Sequence, residues 1–358
     1  MPKVSINPIW SVTEDGTNVL QPKVLELLSL IYSEGNLAKA CKKNNSSYRY
    51  SWNLIKEAEK KLNQKLLIST IGKGSELSPL ASKLVWAGLR ISARLSPMLE
   101  TLASELETEI NNVLSPSFSE NLNINASHGY AVEKLINLLI DSGHSVERKY
   151  VGSREALASL ASGSCEIAGF PIPSGDFENI AIKNYLKGIN EKSTSFIQIA
   201  KREQGLIVNK SNPKKIYSIK DLTRKDIRFI NRQPSSGTYF LLECLLNKNK
   251  IRSEEINGFQ QGEYTHAAVA AFVASGMADV GLGLETPARN FNLDFIPIAS
   301  ERYFVAFNKE TLNKNKLQKL ISIIEDKEFE KTINDLPGYS FSDCGKIQKF
   351  DQVFENSS

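Results

Sequence analysis

The sequence predicts an α/β protein in three parts, and one observation supports each part. Residues 1–79 carry short helical patterns and a Gly-Lys-Gly turn, whereas residues 80–114 carry one long amphipathic pattern. Residues 120–358 alternate strand-like and helix-like segments, which is typical of a parallel sheet with crossover helices. We therefore expect a small N-terminal domain, a linker helix and a larger α/β domain.

Length and composition place the chain among globular proteins. With 358 residues, 41% hydrophobic and 23% charged, it can form two or three domains with sizeable cores. Its apolar runs are shorter than the roughly 18 residues of a membrane span, and its first residues lack the order of a secretion signal. We therefore expect a cytoplasmic protein. Four scattered cysteines and three histidines predict neither a disulfide framework nor a metal site.

The N-terminal part reads as three short helices followed by a hairpin. Apolar residues recur at helical spacing over Pro22–Tyr32, and a second short helix covers Leu37–Asn44. A third helix starts at a serine pair able to cap it and runs to Asn63. Two extended pieces joined by Gly72-Lys73-Gly74 follow. This order predicts a winged helix-turn-helix domain.

The same region is strongly basic. Between Lys39 and Lys73 there are nine basic residues and two acidic residues, Glu57 and Glu59. A compact basic patch suits the phosphate backbone of DNA, because binding releases condensed counterions. A lysine-rich solvated surface is the alternative that charge alone leaves open.

The run Ser-Tyr-Arg-x-x-Trp at the head of the third helix, with the Gly-Lys-Gly wing, resembles the DNA-binding domain of ModE and, more distantly, of LysR-type regulators. The resemblance implies double-stranded DNA as a partner, an arginine that reads guanine and lysines that contact phosphates. We expect Trp52 and Ile55 in the core because their spacing matches the apolar stripe of the helix. The DNA-contacting residues are expected to be Ser46, Ser47, Tyr48, Arg49, Tyr50, Lys56 and Lys73.

Residues 80–114 carry apolar residues at every third or fourth position, with an interruption near Pro97. Such a helix needs a partner for its apolar face. A second copy of the chain is one partner, which predicts a homodimer or a higher homo-oligomer. Packing on the second domain of the same chain is the alternative.

The α/β part divides into two halves joined near residues 199–208 and 298–307. We expect one lobe at about 120–200 with 304–358, the other at about 205–298, and a cleft between them. Ligands of open α/β sheets bind at the carboxyl ends of strands, where strands turn into helices. Three such turns are rich in Ser, Gly and Thr: Ser127–Gly129, Gly152–Arg154 and Asn231–Thr238.

Free backbone N–H groups and the helix macrodipole make such turns suitable for an anion. Arg154, Arg202 and Arg232 could add charge-assisted hydrogen bonds. Ser, Gly and Thr also cap helices for structural reasons, so a single turn decides little. Several turns must converge on one cleft for tight binding.

Seven ordered blocks of this part resemble periplasmic-binding-protein-like domains that occur fused to ModE-type or LysR-type DNA-binding domains and to molybdopterin biosynthesis proteins. The resemblance implies a two-lobed, type 2 periplasmic-binding-protein-like fold without a resident cofactor. It implies molybdate, tungstate or a molybdenum cofactor species as the effector. The blocks are ASHGY at Ala126, YVGS at Tyr150, EIAG at Glu166, AKREQGLIV at Ala200, INRQPSSGTY at Ile230, GEYTHAAVAAFVASGMADVGLGL at Gly262 and LDFIPIASERY at Leu293.

The chain departs from this family at Gly129, Pro171 and Tyr239, where an aspartate, a histidine and an arginine are usual. The missing arginine indicates a pocket retuned toward a smaller ligand or an aromatic one that Tyr239 could stack against. The expected ligand-binding residues are Ser127, His128, Gly152, Ser153, Arg154, Arg202, Arg232, Gln233, Ser235, Ser236, Gly237, Thr238, Tyr239, Thr265, His266 and Tyr303.

Enzyme activity is not expected. The sequence lacks a nucleophile signature, metal-ligand spacing and a nucleotide-binding glycine loop. Glu203 is expected to pair with Arg202, and Glu301 to make hinge or inter-lobe hydrogen bonds. The chain is therefore expected to be a ligand-responsive transcription regulator. A regulator that senses a small organic acid, and a molybdenum-cofactor-handling protein whose winged helix contacts a protein, are the alternatives.

Overall fold

The computed structural model describes residues 3–70, 74–114, 121–310 and 312–354. The chain forms two compact units, of which the first comprises Asn7–Leu95. The second unit comprises the remaining described residues, from Ser96 onward together with those before Asn7. Over the described residues, no helix combines the length and the apolar character needed to cross a membrane.

The described part of the first unit contains three complete helices, the start of a fourth helix and two antiparallel hairpins. Helix α1 ends at Gly35, whose φ of 84° is a left-handed conformation that glycine adopts without strain. Side chains from the three helices and the second hairpin share one apolar core. A helix triplet followed by a hairpin thus lies where the sequence predicts it. The elements are β1 (Val12–Glu14), β2 (Thr17–Leu20), α1 (Pro22–Glu34), α2 (Leu37–Lys43), α3 (Tyr48–Leu62), β3 (Leu67–Thr70) and β4 (Gly74–Leu77).

A buried carboxylate ties the second hairpin to α3. Glu59 accepts hydrogen bonds from the backbone N–H groups of Leu66 and Leu67, at 2.8 and 3.1 Å. It also pairs with Lys56, whose Nζ lies 2.7 Å from Oε2. The backbone that enters β3 is therefore fixed to the third helix.

Helix α4 (Pro79–Leu114) continues through Pro97, which interrupted the predicted pattern without ending the helix. Ala81 and Val85 near its start are buried in the core of the first unit. Its later part carries a stripe of apolar side chains that are 39 to 80% exposed and mostly three or four residues apart. We call these residues the α4 stripe: Met98, Leu102, Leu106, Ile110, Val113 and Leu114.

The second unit is built on one mixed sheet, which has ten strands among the described residues. Strands and helices alternate along the chain as the sequence predicts. The elements up to the middle of the unit are β5 (Leu122–Ala126), α5 (Tyr130–Asp141), β6 (Val146–Tyr150), α6 (Ser153–Ala161), β7 (Ile167–Pro173), α7 (Glu178–Tyr185) and β8 (Thr194–Val208). Those that follow are β9 (Phe229–Arg232), α8 (Gly237–Asn249), β10 (Gly262–Glu263), α9 (His266–Ala274), β11 (Val280–Leu284), α10 (Glu285–Asn290), β12 (Asp294–Asn308), α11 (Lys314–Ile324), α12 (Lys327–Asn334), β13 (Tyr339–Ser340), β14 (Ile347–Lys349) and α13 (Phe350–Phe354).

Two long strands join the two lobes. The sheet order is β10-β9-β11-β8-β12-β7-β5-β6, with β8 and β12 antiparallel at the centre. The first half of β8 pairs with β14, and its second half pairs with β11. Strand β12 pairs with β7 through its second half, from Glu301 to Phe307. Each lobe therefore takes half of both strands, and the predicted two-lobed α/β fold is confirmed.

The second half of α4 covers the outer edge of β6. The Ser104 hydroxyl accepts from the Arg148 N–H at 3.0 Å, and Thr101 Oγ1 accepts from the Tyr150 N–H at 3.2 Å. Side-chain hydroxyls thus satisfy edge groups that another strand would otherwise use. One face of this helix segment packs on its own chain, while the α4 stripe stays exposed.

Candidate ligand-binding cleft

Helices α5, α6, α8 and α9 each begin directly after a strand-to-helix turn, on residues 129, 152, 236 and 265. Ser236 Oγ accepts from the Tyr239 N–H at 3.1 Å, and Thr265 Oγ1 accepts from the Ala268 N–H at 2.8 Å. The hydroxyls of Ser236 and Thr265 therefore cap helices, which is the structural role that the sequence left open.

Turns from the two lobes meet face to face. A Cβ atom at residue 152, in the first lobe, would lie 2.8 Å from the carbonyl oxygen of Ser235 in the second. A Cβ atom at residue 237 would lie 3.6 Å from the Ser153 hydroxyl oxygen. The start of α6 thus faces the start of α8 across a closed cleft, and Gly152 leaves room for this approach.

Arg202 on β8 lies at the centre of the cleft and is 2% exposed. Its Nε donates to Glu301 Oε1 at 2.5 Å, and its guanidinium lies over the Tyr303 ring at 4.9 Å. Burial is the largest single influence on the pKa of Arg202 and lowers it, but the Glu301 carboxylate together with the hydroxyls of Tyr339 and Tyr303 outweighs burial, so the pKa is raised. The Nη1 atom has no hydrogen-bond partner among the residues that the structure describes. It lies against Gly129, where a Cβ atom would be 2.5 Å away.

The expected pairing of Glu203 with Arg202 is wrong. Glu203 accepts from the Ser300 hydroxyl at 2.7 Å, whereas Arg202 pairs with Glu301. Successive side chains of a strand point to opposite faces of the sheet, so neighbours on β8 do not meet. The same alternation places Gln204 on the face of Arg202.

A hydrogen-bonded network links the two lobes through the central strands. Glu301 Oε1 also accepts from Gln204 Nε2 at 2.9 Å, and the same amide donates to Thr238 Oγ1 at 3.0 Å. The Tyr303 hydroxyl donates to the Ser127 carbonyl oxygen at 2.6 Å. The Arg202 guanidinium, which lies over the Tyr303 ring and bonds to Glu301, connects this contact to the bonds that reach the first turn of α8.

Arg232, at the end of β9, is the second buried arginine of the cleft and is 5% exposed. It donates from Nε to the Glu263 carbonyl oxygen at 3.2 Å and from Nη2 to the Tyr264 carbonyl oxygen at 3.0 Å. Burial and the charge of Arg202 lower its pKa to about 9. Within the described ranges its Nη1 has no partner. Two guanidinium groups that repel each other, each with an unsatisfied nitrogen, favour an anion between them.

His128 and His266 line the same buried region without adding charge. Burial, and then the charges of Arg232 and Arg202, lower the pKa of His128 to about 3. The same causes lower the pKa of His266 well below its usual value. In the described part of the chain, neither Nδ1 atom has a hydrogen-bond partner. Both rings are neutral at pH 7 and can donate or accept one hydrogen bond at these atoms.

These histidines predict an acid-sensitive second unit. The pKa of histidine in the unfolded chain is near 6.5. As the pH falls through this value, the unfolded state binds protons that the folded state does not bind. Stability is therefore present above this pKa and is lost below it, by about 2 kcal/mol for His128 between pH 7.5 and pH 5. Denaturant unfolding followed by circular dichroism should show this loss. His128→Asn should reduce the pH dependence, whereas His144→Asn, at a partly exposed position, should leave most of it. An unchanged pH dependence in His128→Asn would contradict neutral burial.

Other predicted residues have different surroundings. Ser153 is 1% exposed, and its hydroxyl has no partner in the described part of the protein. Arg154 and Ser235 are exposed. The Tyr239 ring packs against Phe259 at 5.7 Å, in the core of the second lobe. The candidate site therefore lacks the aromatic platform expected from Tyr239.

The structure brings some of the predicted ligand-binding residues together in the cleft, and it adds Gln204 and Glu301 to them. Gln204 was not predicted, although its position two residues after Arg202 in a strand was a usable signal. Glu301 was expected to form hinge or inter-lobe hydrogen bonds and holds Arg202. Among the described residues, no three His, Cys, Asp or Glu side chains are grouped to hold a metal ion. The residues gathered at the cleft are Ser127, His128, Gly152, Ser153, Arg202, Arg232, Gly237, Thr238, His266 and Tyr303.

Comparison with known proteins gives relatives of undescribed activity. The uncharacterized protein YvgK of Bacillus subtilis (strain 168) is 32% identical over 203 residues, which cover 56% of this chain and 64% of YvgK. An uncharacterized protein from the 5′ region of a 2Fe-2S ferredoxin gene of Clostridium pasteurianum is 39% identical over 93 residues, covering 26% of this chain and 82% of that protein. The chain thus spans less than two thirds of YvgK.

Among solved structures, a hydrogen-peroxide-bound cysteine-to-serine mutant of Corynebacterium glutamicum OxyR is similar, with a TM-score of 0.45 and 11% identity. The similarity covers 87% of this chain and 93% of that one, and it is too low to carry an argument about function. The sequence profile described as the PBP superfamily domain matches residues 139–325, slightly more than half of the chain. The chain therefore belongs to the PBP superfamily.

Proposed function

We propose that the protein is a ligand-responsive, DNA-binding transcription regulator whose second unit binds a small anion in the cleft. The observation that carries this proposal is the pair of buried arginines, Arg202 and Arg232, each with an unsatisfied Nη1 atom where the turns of both lobes meet. Leaving a buried donor without a partner costs about 1 to 3 kcal/mol, which a bound anion would recover. A ligand shifts the equilibrium between open and closed lobes only by as much as its affinities for the two states differ.

The head of α3 is the proposed DNA-reading surface. Tyr48 and Tyr50 are 49 and 52% exposed, and Ser47 and Arg49 beside them are exposed as well. Two large exposed rings next to an arginine suit contacts with base edges in the major groove. Ser47 precedes the helix and makes no side-chain capping bond, so the expected cap is not formed there. Ser46 instead shares a hydrogen bond with the Ser51 hydroxyl.

The lysines proposed to touch phosphates differ in their surroundings. Lys56 pairs with buried Glu59 at 2.7 Å and lies over the Trp52 ring at 4.6 Å. Because these contacts already engage the Lys56 ammonium group, a phosphate would have to compete with them for it. Lys73 lies outside the described residues.

The α4 stripe is the proposed dimer interface. Its residues recur at helical spacing and expose apolar surface that a second copy of the same helix would bury. A dimer would also present two α3 helices, as helix-turn-helix regulators require for paired half-sites.

Molybdate, tungstate and molybdenum cofactor species are the first effector candidates, as the resemblance implies, and small organic acids are the second. Titration calorimetry with molybdate, tungstate, sulfate and small carboxylates tests both classes. Mass spectrometry of molecules released from the purified protein tests them independently. Absence of heat with every probe, and of any released anion, would count against the cleft as the sensing site.

Arg49→Ala should weaken specific DNA binding by about 1 to 3 kcal/mol, because a base contact is lost. Fragments selected from genomic DNA by the wild-type protein can serve as targets in anisotropy titrations. Arg252→Ala removes an exposed charge from the second unit and should leave the affinity unchanged. An Arg49→Ala protein with wild-type affinity would favour the alternative in which this domain contacts a protein.

A further inference from the structure

The cleft also contains buried acceptors that a bare anion cannot satisfy. Glu301 and Gln204 are 1 and 0% exposed. Glu301 Oε2 and Gln204 Oε1 have no hydrogen-bond partner within the described portion of the chain. The other oxygen of the Glu301 carboxylate holds Arg202, and the nitrogen of the Gln204 amide holds Thr238, so both unsatisfied acceptors belong to side chains that already bind cleft residues.

The charges of the cleft are mixed rather than purely positive. Arg202 faces the Glu301 carboxylate, and the carboxylates of Glu301 and Glu263 both act on Arg232. His128 contributes no charge at pH 7 because burial lowers its pKa. An anion that offers only negatively charged acceptor oxygens would therefore meet two buried carboxylates as well as two guanidinium groups, and its contacts with the carboxylates would be repulsive.

The unsatisfied buried atoms of the cleft include both donors and acceptors. Arg202 Nη1, Arg232 Nη1 and the Ser153 hydroxyl can donate, whereas Glu301 Oε2 and Gln204 Oε1 can only accept. Thr238 accepts from Gln204, which leaves its own O–H able to donate elsewhere. A ligand that satisfies this set must both accept and donate hydrogen bonds.

We propose that the cleft selects a small anion that also carries a hydrogen-bond donor, which Glu301 and Gln204 accept while the arginines hold the negative group. This inference rests on the proposed function of the cleft. The donor is the acidic O–H of a singly protonated oxyanion, or the hydroxyl or ammonium group of a small organic acid. Fully deprotonated sulfate, molybdate and tungstate offer acceptors alone and would leave both buried acceptors unsatisfied.

Matched pairs of probes test the donor requirement by calorimetry on the full chain. Phosphate and sulfate share a shape but differ in a proton, while lactate adds a hydroxyl group to propionate and alanine adds an ammonium group. We expect the donor-bearing member of at least one pair to bind at least tenfold more tightly, because a site built to hydrogen-bond a donor rejects the analogue that lacks it. The inorganic and organic pairs separate the two sources of the ligand.

Glu301→Gln tests the acceptor directly. Glutamine can keep one oxygen for Arg202 and presents an N–H₂ group in place of the free carboxylate oxygen. The preference for the donor-bearing probe should fall at least tenfold. Glu203→Gln, on the opposite face of the sheet, should keep the wild-type preference. Gln204→Met removes the second acceptor. It provides the same test of the preference if Glu301→Gln fails to fold.

The outcomes separate this inference from the proposed function. Sulfate, molybdate or tungstate binding as tightly as the donor-bearing probes would overturn the donor requirement and leave the anion site standing. An unchanged preference in folded Glu301→Gln and Gln204→Met proteins would also overturn it. Binding of no probe, together with no small anion released from the denatured wild-type protein, would overturn both.

Discussion

Replacement of Arg202 by methionine should abolish ligand binding and lower the free energy of unfolding of the second unit by about 3 to 5 kcal/mol. The pair of Arg202 with Glu301 is almost fully buried, with side chains 2 and 0% exposed. Removing one partner leaves a buried carboxylate without its counter-charge, which costs more than the pair itself contributes. The contact of the guanidinium with the Tyr303 ring is lost as well.

The measurement must report on the second unit alone. All three tryptophans, Trp10, Trp52 and Trp86, lie in the first unit, so tryptophan fluorescence follows that unit. Hydrogen exchange of the β8 and β12 amides reports on the second unit. Fluorescence unfolding should stay unchanged in Arg202→Met while exchange in these strands becomes faster.

Two further variants separate charge from packing. Arg202→Met combined with Glu301→Leu removes both charges and should recover most of the stability without recovering ligand binding. Arg228→Met breaks the pair with Asp279, in which the arginine is 51% exposed, and should cost at most about 1 kcal/mol. A loss in Arg202→Met as small as in Arg228→Met would show that Arg202 is not held by a buried charge pair.

Gly152→Ala should weaken ligand binding about 5- to 150-fold through a cost of about 1 to 3 kcal/mol on lobe closure. Residue 152 has φ −68° and ψ 154°, which alanine adopts without strain. The added Cβ would lie 2.8 Å from the backbone oxygen of Ser235 in the opposite lobe. Backbone cannot move aside as a flexible side chain does, so the lobes must stay further apart.

The effect should appear in affinity and not in folding. Calorimetry with the best-binding probe gives the affinity, and small-angle scattering with and without that probe gives the degree of closure. Gly88→Ala is the matched control because the nearest neighbour of its new methyl group would be the Trp10 ring of the first unit, at an ordinary 3.5 Å. Wild-type affinity in Gly152→Ala would mean that ligand binding does not require the contact between residues 152 and 235.

The candidate site was partly readable from the sequence. Turns rich in Ser, Gly and Thr follow predicted strands, and such turns gather at one edge of a sheet because parallel strands end there. The sequence could not show which of the three predicted arginines are buried in the cleft. Arg154 is exposed, whereas Arg202 and Arg232 are buried. Exposure depends on which neighbours pack around a side chain, and those neighbours, such as Glu301 and Tyr303 for Arg202, are distant in the sequence.

By itself, the sequence determined the order of helices and strands, the two-lobed α/β fold and the basic character of the N-terminal region. These features follow from local periodicity, turn residues and charge, which act over a few residues at a time. Tertiary structure alone decided that Arg202 pairs with Glu301, ninety-nine residues away, and that Gly152 meets Ser235. Such pairs depend on how distant strands come together, so no local pattern records them.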